Sequence, residues 1–495
     1  MTDPCPAPFN LAHYVLGQAD RLPDKVALAV LGPARAERWS YARLDRAVRG
    51  MAGGLLAHGF RPGDRLLLRL GNTPEFPVAF LGAIAAGLVP VPTAAVLTSG
   101  EITKLAEVIA PAGILAGDGV ALPEGFSGPV LRDLAPLMTH APADHVMGDP
   151  ERLAYLVFTS GSGGTPKAVA HAHRAIWARR MMHQGWYGLR EDDRLLHAGA
   201  FNWTFTLGTG LLDPWSVGAT ALIPAPGLEP AALPLLLKRH DATILAAAPG
   251  IFRKLLATDV PVRLPKLRHG LSAGEKLPEA LRQRWMAATG TAVHEALGMS
   301  ECSTFISGSP ARPAPQGTLG HAQAGRRVAV LNETGQAVAE GDTGILAIHR
   351  DDPGLMLGYQ QPDGSLDLPL TGDWFLTGDM VEQRGDGAFT YHGRRDDLIT
   401  AGGFRVSPLE IEAAFQHAPG VQECAALALS PKADTTIVAL AFVGDATEDR
   451  LRDLAAASLA RYKQPRTFIR LPALPRNPNG KLDRRALRAR VEEAS

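Results

Sequence analysis

The stretch FTSGSGGTPKAVAHAH, residues 158–173, sets three glycines and four hydroxyl side chains beside a single lysine. Leu153 to Phe158 ahead of the loop is apolar and aromatic, which predicts a short buried strand. Gly161, Gly163 and Gly164 then permit turns that other residues resist. A strand that empties into such a loop presents bare backbone N–H groups. Together with the hydroxyls of Thr159, Ser160, Ser162 and Thr165 and the ammonium of Lys167, these groups suit phosphate oxygens. The spacing is not that of a Walker loop, because Pro166 and Ala168 flank Lys167 where glycine and a hydroxyl residue are required. Nor is it a dinucleotide loop, since Pro166 stands where the third glycine should be. A plain flexible loop is the alternative reading of these residues.

With 495 residues the chain exceeds what one hydrophobic core usually serves, so at least two domains are expected. Apolar content of 46% and charged content of 20% are those of a soluble globular protein. The 50 acidic and 50 basic residues cancel, removing the global field that recruits nucleic acid or anionic membranes. Cys5, Cys302 and Cys424 are too few and too scattered for a disulfide framework or a zinc site, which fits a reducing cytoplasm. The opening MTDPCPAPFN lacks a basic region followed by an apolar core, so no signal peptide is expected. Phe76 to Leu97 carries no charge. Pro77, Pro90 and Pro92, with Gly82 and Gly87, break it into a short helix and an extended LVPVPT segment, a buried core rather than a membrane span. Nothing in the sequence fixes an oligomeric state.

Helix-like and strand-like pieces alternate along much of the chain, which predicts a layered α/β architecture with parallel strands. RLLLRL (65–70), ATILAAAP (242–249) and GILAIH (344–349) read as strands, and LPEALRQRWMAAT (277–289) as a helix with Pro278 in its first turn. After about residue 340 short strands and Gly/Asp turns take over. Gly385-Asp386-Gly387 reads as a hairpin turn. From Leu398 a pattern of strand, helix, strands and helix predicts a small separate domain, joined at the polar GRRDD, residues 393–397.

Four further motifs follow the glycine-rich loop: ALGMSEC (296–302), FLTGDM (375–380), GRRDDLITAGGFRVSPLEIE (393–412) and PRNPNGKLDR (475–484). In order and spacing the set resembles the adenylate-forming superfamily of acyl-CoA synthetases, aryl-CoA ligases, luciferases and peptide-synthetase adenylation domains. The resemblance covers nearly the whole chain. It implies a large N-terminal domain of layered α/β subdomains (1–393), a hinge (394–397) and a small mobile α+β C-terminal domain (398–495). The loop Thr159 to Lys167 matches the superfamily's phosphate loop except that Gly163 replaces a hydroxyl residue. Ser300 and Glu301 match its Thr-Glu pair, whose carboxylate helps hold Mg2+ on the triphosphate of ATP. Leu297 stands where a tyrosine usually stacks on adenine, and Gly274 and Glu275 match the segment beside the base.

An aromatic pair, Trp374-Phe375, precedes Thr377-Gly378-Asp379 and marks Asp379 as the ribose-binding aspartate, in place of the nearby Thr371-Gly372-Asp373. By the same resemblance Arg394 contacts the ribose, Asp396 is the pivot, Gly403 with Arg405 lines the tunnel for coenzyme A, and Lys481 reaches the carboxylate and the α-phosphate. The implied activity joins a carboxylic acid to AMP and then to coenzyme A, as an acid-thiol ligase in the cytoplasm. Peptide-synthetase domains carry Phe-Asp-x-Ser where this chain has Phe201-Asn202-Trp203-Thr204, and neutral Asn202 cannot pair with an amino acid's ammonium. Asn202, Trp203, Phe205, Leu207, Leu297, Met299 and Phe305 are therefore candidates for a pocket taking an aromatic or short-to-medium aliphatic acid. Loading of a carrier protein is the alternative. Gly270-Leu271-Ser272-Ala273-Gly274 also satisfies the G-x-S-x-G elbow of α/β hydrolases, which would make Ser272 a thioesterase nucleophile. An elbow needs a helix straight after the serine, and Pro278 predicts one only later.

Overall fold

The computed structural model describes residues 3–159, 166–256, 263–401, 404–432, 435–477 and 480–493. Three sheets build the large N-terminal part. A thirteen-stranded sheet holds the centre, and two four-stranded sheets lie beside it. Half of the large sheet is parallel: Ala292–Met299, His269–Ala273, Ile244–Ala247, Arg194–His197, Thr220–Pro224 and Val26–Leu31 pair side by side in that order. These strands are rich in Leu, Ile and Ala and covered on both faces, as parallel strands require. The other half is antiparallel and begins with the hairpin of Ala292–Met299 and Ser303–Ser307.

Local sequence accounts for the element boundaries. Ser40 caps the helix Tyr41–Ala57 by accepting from Arg43 N, and Thr98 with Glu101 forms a capping box on Ser99–Ile109. The uncharged stretch folds as the helix Glu75–Ala85 followed by the strand Val89–Pro92. That strand sits at a sheet edge, where Pro90 and Pro92 leave no inner ladder bond unmade. Gly387, at φ +79°, turns the hairpin between Trp374–Gln383 and Ala388–Arg394. No helix among the described residues is long and apolar enough to cross a membrane.

The C-terminal part packs a sheet of Val421–Lys432, Thr435–Gly444 and Thr467–Arg470 against the helices Pro408–Phe415, Glu448–Ser458 and Arg484–Glu493. Its two apolar clusters, around Phe415 and Leu487, draw only on residues from Ile399 onward. None of those residues belongs to the clusters of the large part. The chain is thus a mixed α/β protein with a large N-terminal domain and a smaller C-terminal one.

Candidate active site

In parallel sheets the carboxyl ends of the strands converge on the ligand crevice, most of all where the topology switches. Here those ends are His197, Ala247, Ala273 and Met299, and the switch is the hairpin that carries Ser300 and Glu301. A cleft of about 3120 Å3 opens over this edge, and residues from both domains line it.

The second sheet brings Thr159 and Lys167 to the same cleft. Thr159 and Lys167 face each other across its two strands. The residues between them that were read as phosphate ligands, Ser160, Gly161, Ser162, Gly163, Gly164 and Thr165, lie outside the described residues. Tyr359, on the next strand, carries Lys167 Nζ 4.5 Å above its ring and donates its hydroxyl to Glu301 Oε1 at 2.8 Å. One side chain thus joins the loop's lysine to the acidic turn.

That turn is fixed through its backbone. His171 Nε2 donates to Ser300 O at 2.7 Å, Met356 N to Glu301 O at 2.8 Å, and Arg326 Nη2 to Cys302 O at 3.0 Å. Arg179 donates to the Ser303 hydroxyl, and Ser303 itself is held at φ +63°. Both guanidiniums are neutralised from below, Arg326 by Asp352 at 3.2 Å and Arg179 by Asp213 at 2.6 Å. Glu301 is buried, yet no group of three His, Cys, Asp or Glu gathers anywhere among the described residues. One protein carboxylate is the right provision for Mg2+, which takes phosphate and water oxygens for the rest of its octahedron.

Asp379 lies buried in the strand Trp374–Gln383, directly opposite Arg394. Tyr391 donates to its Oδ1 at 3.2 Å, and Arg394 Nη1 stands 3.6 Å away. Burial raises the Asp379 carboxyl, while Arg394 and the hydrogen bond from Tyr391 oppose the rise. Asp373 of the second Thr-Gly-Asp lies instead in an exposed turn, paired only with exposed Arg350.

Lys481 enters the cleft from the C-terminal domain. Its Nζ lies 5.3 Å from the Trp203 ring centroid. Gly274, at φ +97°, lets the chain pass beneath it: a Cβ there would lie 2.7 Å from Trp203 Cζ2 and 3.1 Å from Lys481 Cε. Burial lowers the Lys481 ammonium from its ordinary value, opposed by Glu275 and Asp379. Burial raises Glu275, opposed first by Arg476. Arg476 reaches Glu275 at 3.7 Å and Glu423 at 3.1 Å, and Glu423 accepts from Arg253 at 2.8 Å. These four side chains clasp the C-terminal domain to the wall of the cleft.

The candidate acid-pocket residues divide between two places. Trp203 and Phe205 meet edge to face at 5.1 Å over the parallel sheet, and Asn202 beside them is half-buried. Asn72 holds this loop by donating to Gly199 O at 2.7 Å and accepting from Phe201 N at 2.9 Å. Leu297 and Met299 line the large cleft instead, on the side of Glu301 and Asp379. Leu207 and Phe305 are core, in clusters with Phe76 and Ile306.

Asp396 lies in the short turn Arg395–Asp397, which follows Arg394 at the end of its strand. Gly403 is outside the described residues. Arg405 is described by its backbone, which pairs with Thr400. Ser272 lies inside a strand, in register with Ala247 and Glu295, and its buried Oγ has no hydrogen-bond partner. The next helix begins only at Glu279, so Ser272 is not at a nucleophile elbow. Tyr359, Tyr391, His171 and Arg476 are given no role in the motif reading. Tyr391 reaches Asp379 across a hairpin, 12 residues away, while the other three act across long sequence separations that only the fold closes.

Residues 16–360 match the family described as AMP-binding enzyme, and residues 410–481 match the AMP-binding enzyme C-terminal domain. The chain is 30% identical to the 3-hydroxybenzoate-CoA ligase of Aromatoleum sp. (strain CIB), over 97% of this chain and 96% of that protein. Among solved structures, a benzoate CoA ligase from Burkholderia xenovorans LB400 superposes with a TM-score of 0.84 at 26% identity, covering 97% of this chain and 100% of that one. ATP-bound MatB from Rhodopseudomonas palustris gives 0.87 at 25% identity, covering 98% and 99%.

Proposed function

The chain belongs to the AMP-binding enzyme family, and from that premise we propose that it activates an aromatic carboxylic acid with ATP and transfers the acyl group to coenzyme A. One observation carries the reading. Lys481 of the small domain is buried at the junction of two half-sites, the aromatic pair Trp203 and Phe205 on one side and Asp379 with Glu301 on the other. A lone ammonium held there meets both a carboxylate and an α-phosphate.

In the first step the acid's carboxylate oxygen attacks the α-phosphorus, and the bond to the bridging oxygen of pyrophosphate breaks. Lys481 offsets the negative charge that accumulates on the reacting oxygens, in a site already oriented before the reaction starts. Asp379 accepts from the ribose hydroxyls, with Arg394 beside it, and Thr159 and Lys167 frame the phosphates. Glu301, next to Ser300, would hold Mg2+, which supplies charge neutralisation to the triphosphate when bound. Gly274 and Glu275 form the floor near the base.

In the second step the thiol sulfur of coenzyme A bonds to the acyl carbon, its proton passes to solvent, the acyl–oxygen bond breaks, and AMP leaves with the electron pair. Lys481 has no part in this step. The clasp through Arg476 and Glu423 holds the first-step posture, and release about residues 394–397, with Asp396 as pivot, withdraws the lysine and brings Gly403 and Arg405 toward the cleft. The aromatic acid is supported by the edge-to-face pair of Trp203 and Phe205 beside Lys481 and by relatives named for benzoate and hydroxybenzoate.

A screen of benzoates, medium-chain acids and amino acids, by pyrophosphate and AMP release with and without coenzyme A, tests the reading. Benzoates should lead and AMP should accumulate. ADP as product, amino acids as best substrates, or a carrier protein preferred over coenzyme A would overturn it.

A further inference from the structure

Beyond Phe205 the acid side ends in two polar residues that the mechanism does not use. His197 closes the strand Arg194–His197, and Thr206 opens the helical turn Thr206–Leu212. Both are fully buried, and among the described residues His197 Nδ1, His197 Nε2 and Thr206 Oγ1 have no hydrogen-bond partner. Interiors rarely leave such atoms bare, so three in one place call for an occupant. The atoms converge: a Cβ on Gly199 would lie 2.3 Å from Thr206 Oγ1 and 3.2 Å from His197 Nδ1.

A chain of ring contacts also links the pair to the reaction centre. Lys481 stands 5.3 Å from Trp203, Trp203 is 5.1 Å from Phe205, and Phe205 meets the His197 ring edge to face at 4.4 Å. On the same face of the sheet the neighbouring strands carry the small side chains Ala246, Ala273 and Ala296.

We infer that His197 and Thr206 are the polar end of the acid site and select an aromatic acid bearing an uncharged hydrogen-bonding group, a phenol hydroxyl or an arylamine, meta or para to its carboxylate. This rests on the aromatic-acid reading above. A phenol both donates and accepts, as do a neutral imidazole and a threonine hydroxyl. Burial keeps His197 neutral, lowering it to about 3. Among the described residues the guanidinium packed nearby is not free for a second carboxylate: Arg179, beneath Gly208, is already bound to Asp213 at 2.6 Å. An unsubstituted ring would leave all three polar atoms bare, and a site built to hydrogen-bond a hydroxyl discriminates against the analogue that lacks it.

The test is kcat/KM, by pyrophosphate release from the full-length enzyme, for benzoate, 3- and 4-hydroxybenzoate, 3- and 4-aminobenzoate and benzene-1,3-dicarboxylate. It is repeated in Thr206→Val and His197→Leu. Within each protein the readout is the ratio of the best hydroxy or amino acid to benzoate, so a general loss of activity cancels. The ratio should be about 10–100 in the parent and fall at least severalfold in Thr206→Val, which keeps the shape of the side chain. A parent ratio near one, or a ratio that neither substitution moves, overturns the inference and leaves the aromatic-acid reading standing. Turnover of aliphatic acids with no aromatic acid accepted overturns both.

Discussion

Glu423→Gln tests whether the clasp between the domains sets the balance between the two half-reactions. Glu423 accepts from Arg253 of the large domain at 2.8 Å and pairs at 3.1 Å with Arg476, which itself reaches Glu275 on the cleft wall. At 2.8 Å and an effective dielectric of 20, the bare Coulomb term is about 6 kcal/mol. The side chains keep 22–31% exposure, so solvent and the entropy of ordering them cancel most of it. A net of about 1–2 kcal/mol remains, between exposed and fully buried pairs. That corresponds to a shift of about 5–30-fold in the population holding Lys481 in the cleft. Pyrophosphate release in a single turnover should slow by this factor, while thioester formation from a supplied acyl-adenylate should hold or quicken. Added salt should reproduce part of the effect in the parent enzyme. A double-mutant cycle with Arg253→Gln isolates the pair itself. Equal slowing of both half-reactions, in a protein shown to be folded, would refute the clasp as a conformational latch.

Lys481→Met should abolish most adenylate formation yet still convert supplied acyl-adenylate to thioester, and loss of both would place the lysine in both steps. The same substitution should raise the melting temperature at pH 7. Burial puts the folded-state pKa below the unfolded 10.5, so the unfolded chain binds the proton more tightly; the penalty on folding is complete below the folded value and is lost as pH rises from there to 10.5. The alkaline limb of kcat/KM for ATP should therefore fall below pH 10.5 and move upward in kcat, once the triphosphate favours the ammonium; identical limbs would refute this. Gly274→Ala, at φ +97° with Trp203 Cζ2 2.7 Å from the new carbon, should cut adenylation by about 10–100-fold, measured as pyrophosphate release.

Short-range pattern made much of this molecule legible. The strands at Leu153–Thr159, Arg65–Arg69 and Thr343–His349, the helix Glu279–Thr289 and the turn at Gly387 follow from apolar runs and from Pro and Gly placed where only they fit. The motif residues are legible for the same reason, because each lies in a few consecutive positions. What those positions share was not. Tyr359 reaches Glu301 across 58 residues and His171 reaches Ser300 across 129, and no local pattern marks either partner. Leu207 and Phe305 show the converse: they sit beside motifs and are apolar, but the helix and the strand turn them into the core. His197 carries no such mark: it lies in no motif, and only the fold places it at the end of the strand RLLH.

Charge explains why the decisive lysine comes from the smaller domain. An ammonium fixed in the large domain at this depth would have to remain buried through both half-reactions, and desolvation would disfavour its charged form whenever the anionic substrates were gone. In the mechanism proposed above, Lys481 on the small domain is buried only while Arg476 and Glu423 hold the domain against Glu275 and Arg253, and in this arrangement Glu275 and Asp379 offset part of its desolvation. ATP and the acid bring the remaining negative charge and make the buried ammonium most favourable when it is needed. Loss of pyrophosphate removes much of that charge. The same desolvation that depresses the lysine then favours its exit, so departure of the first product helps open the cleft to the thiol.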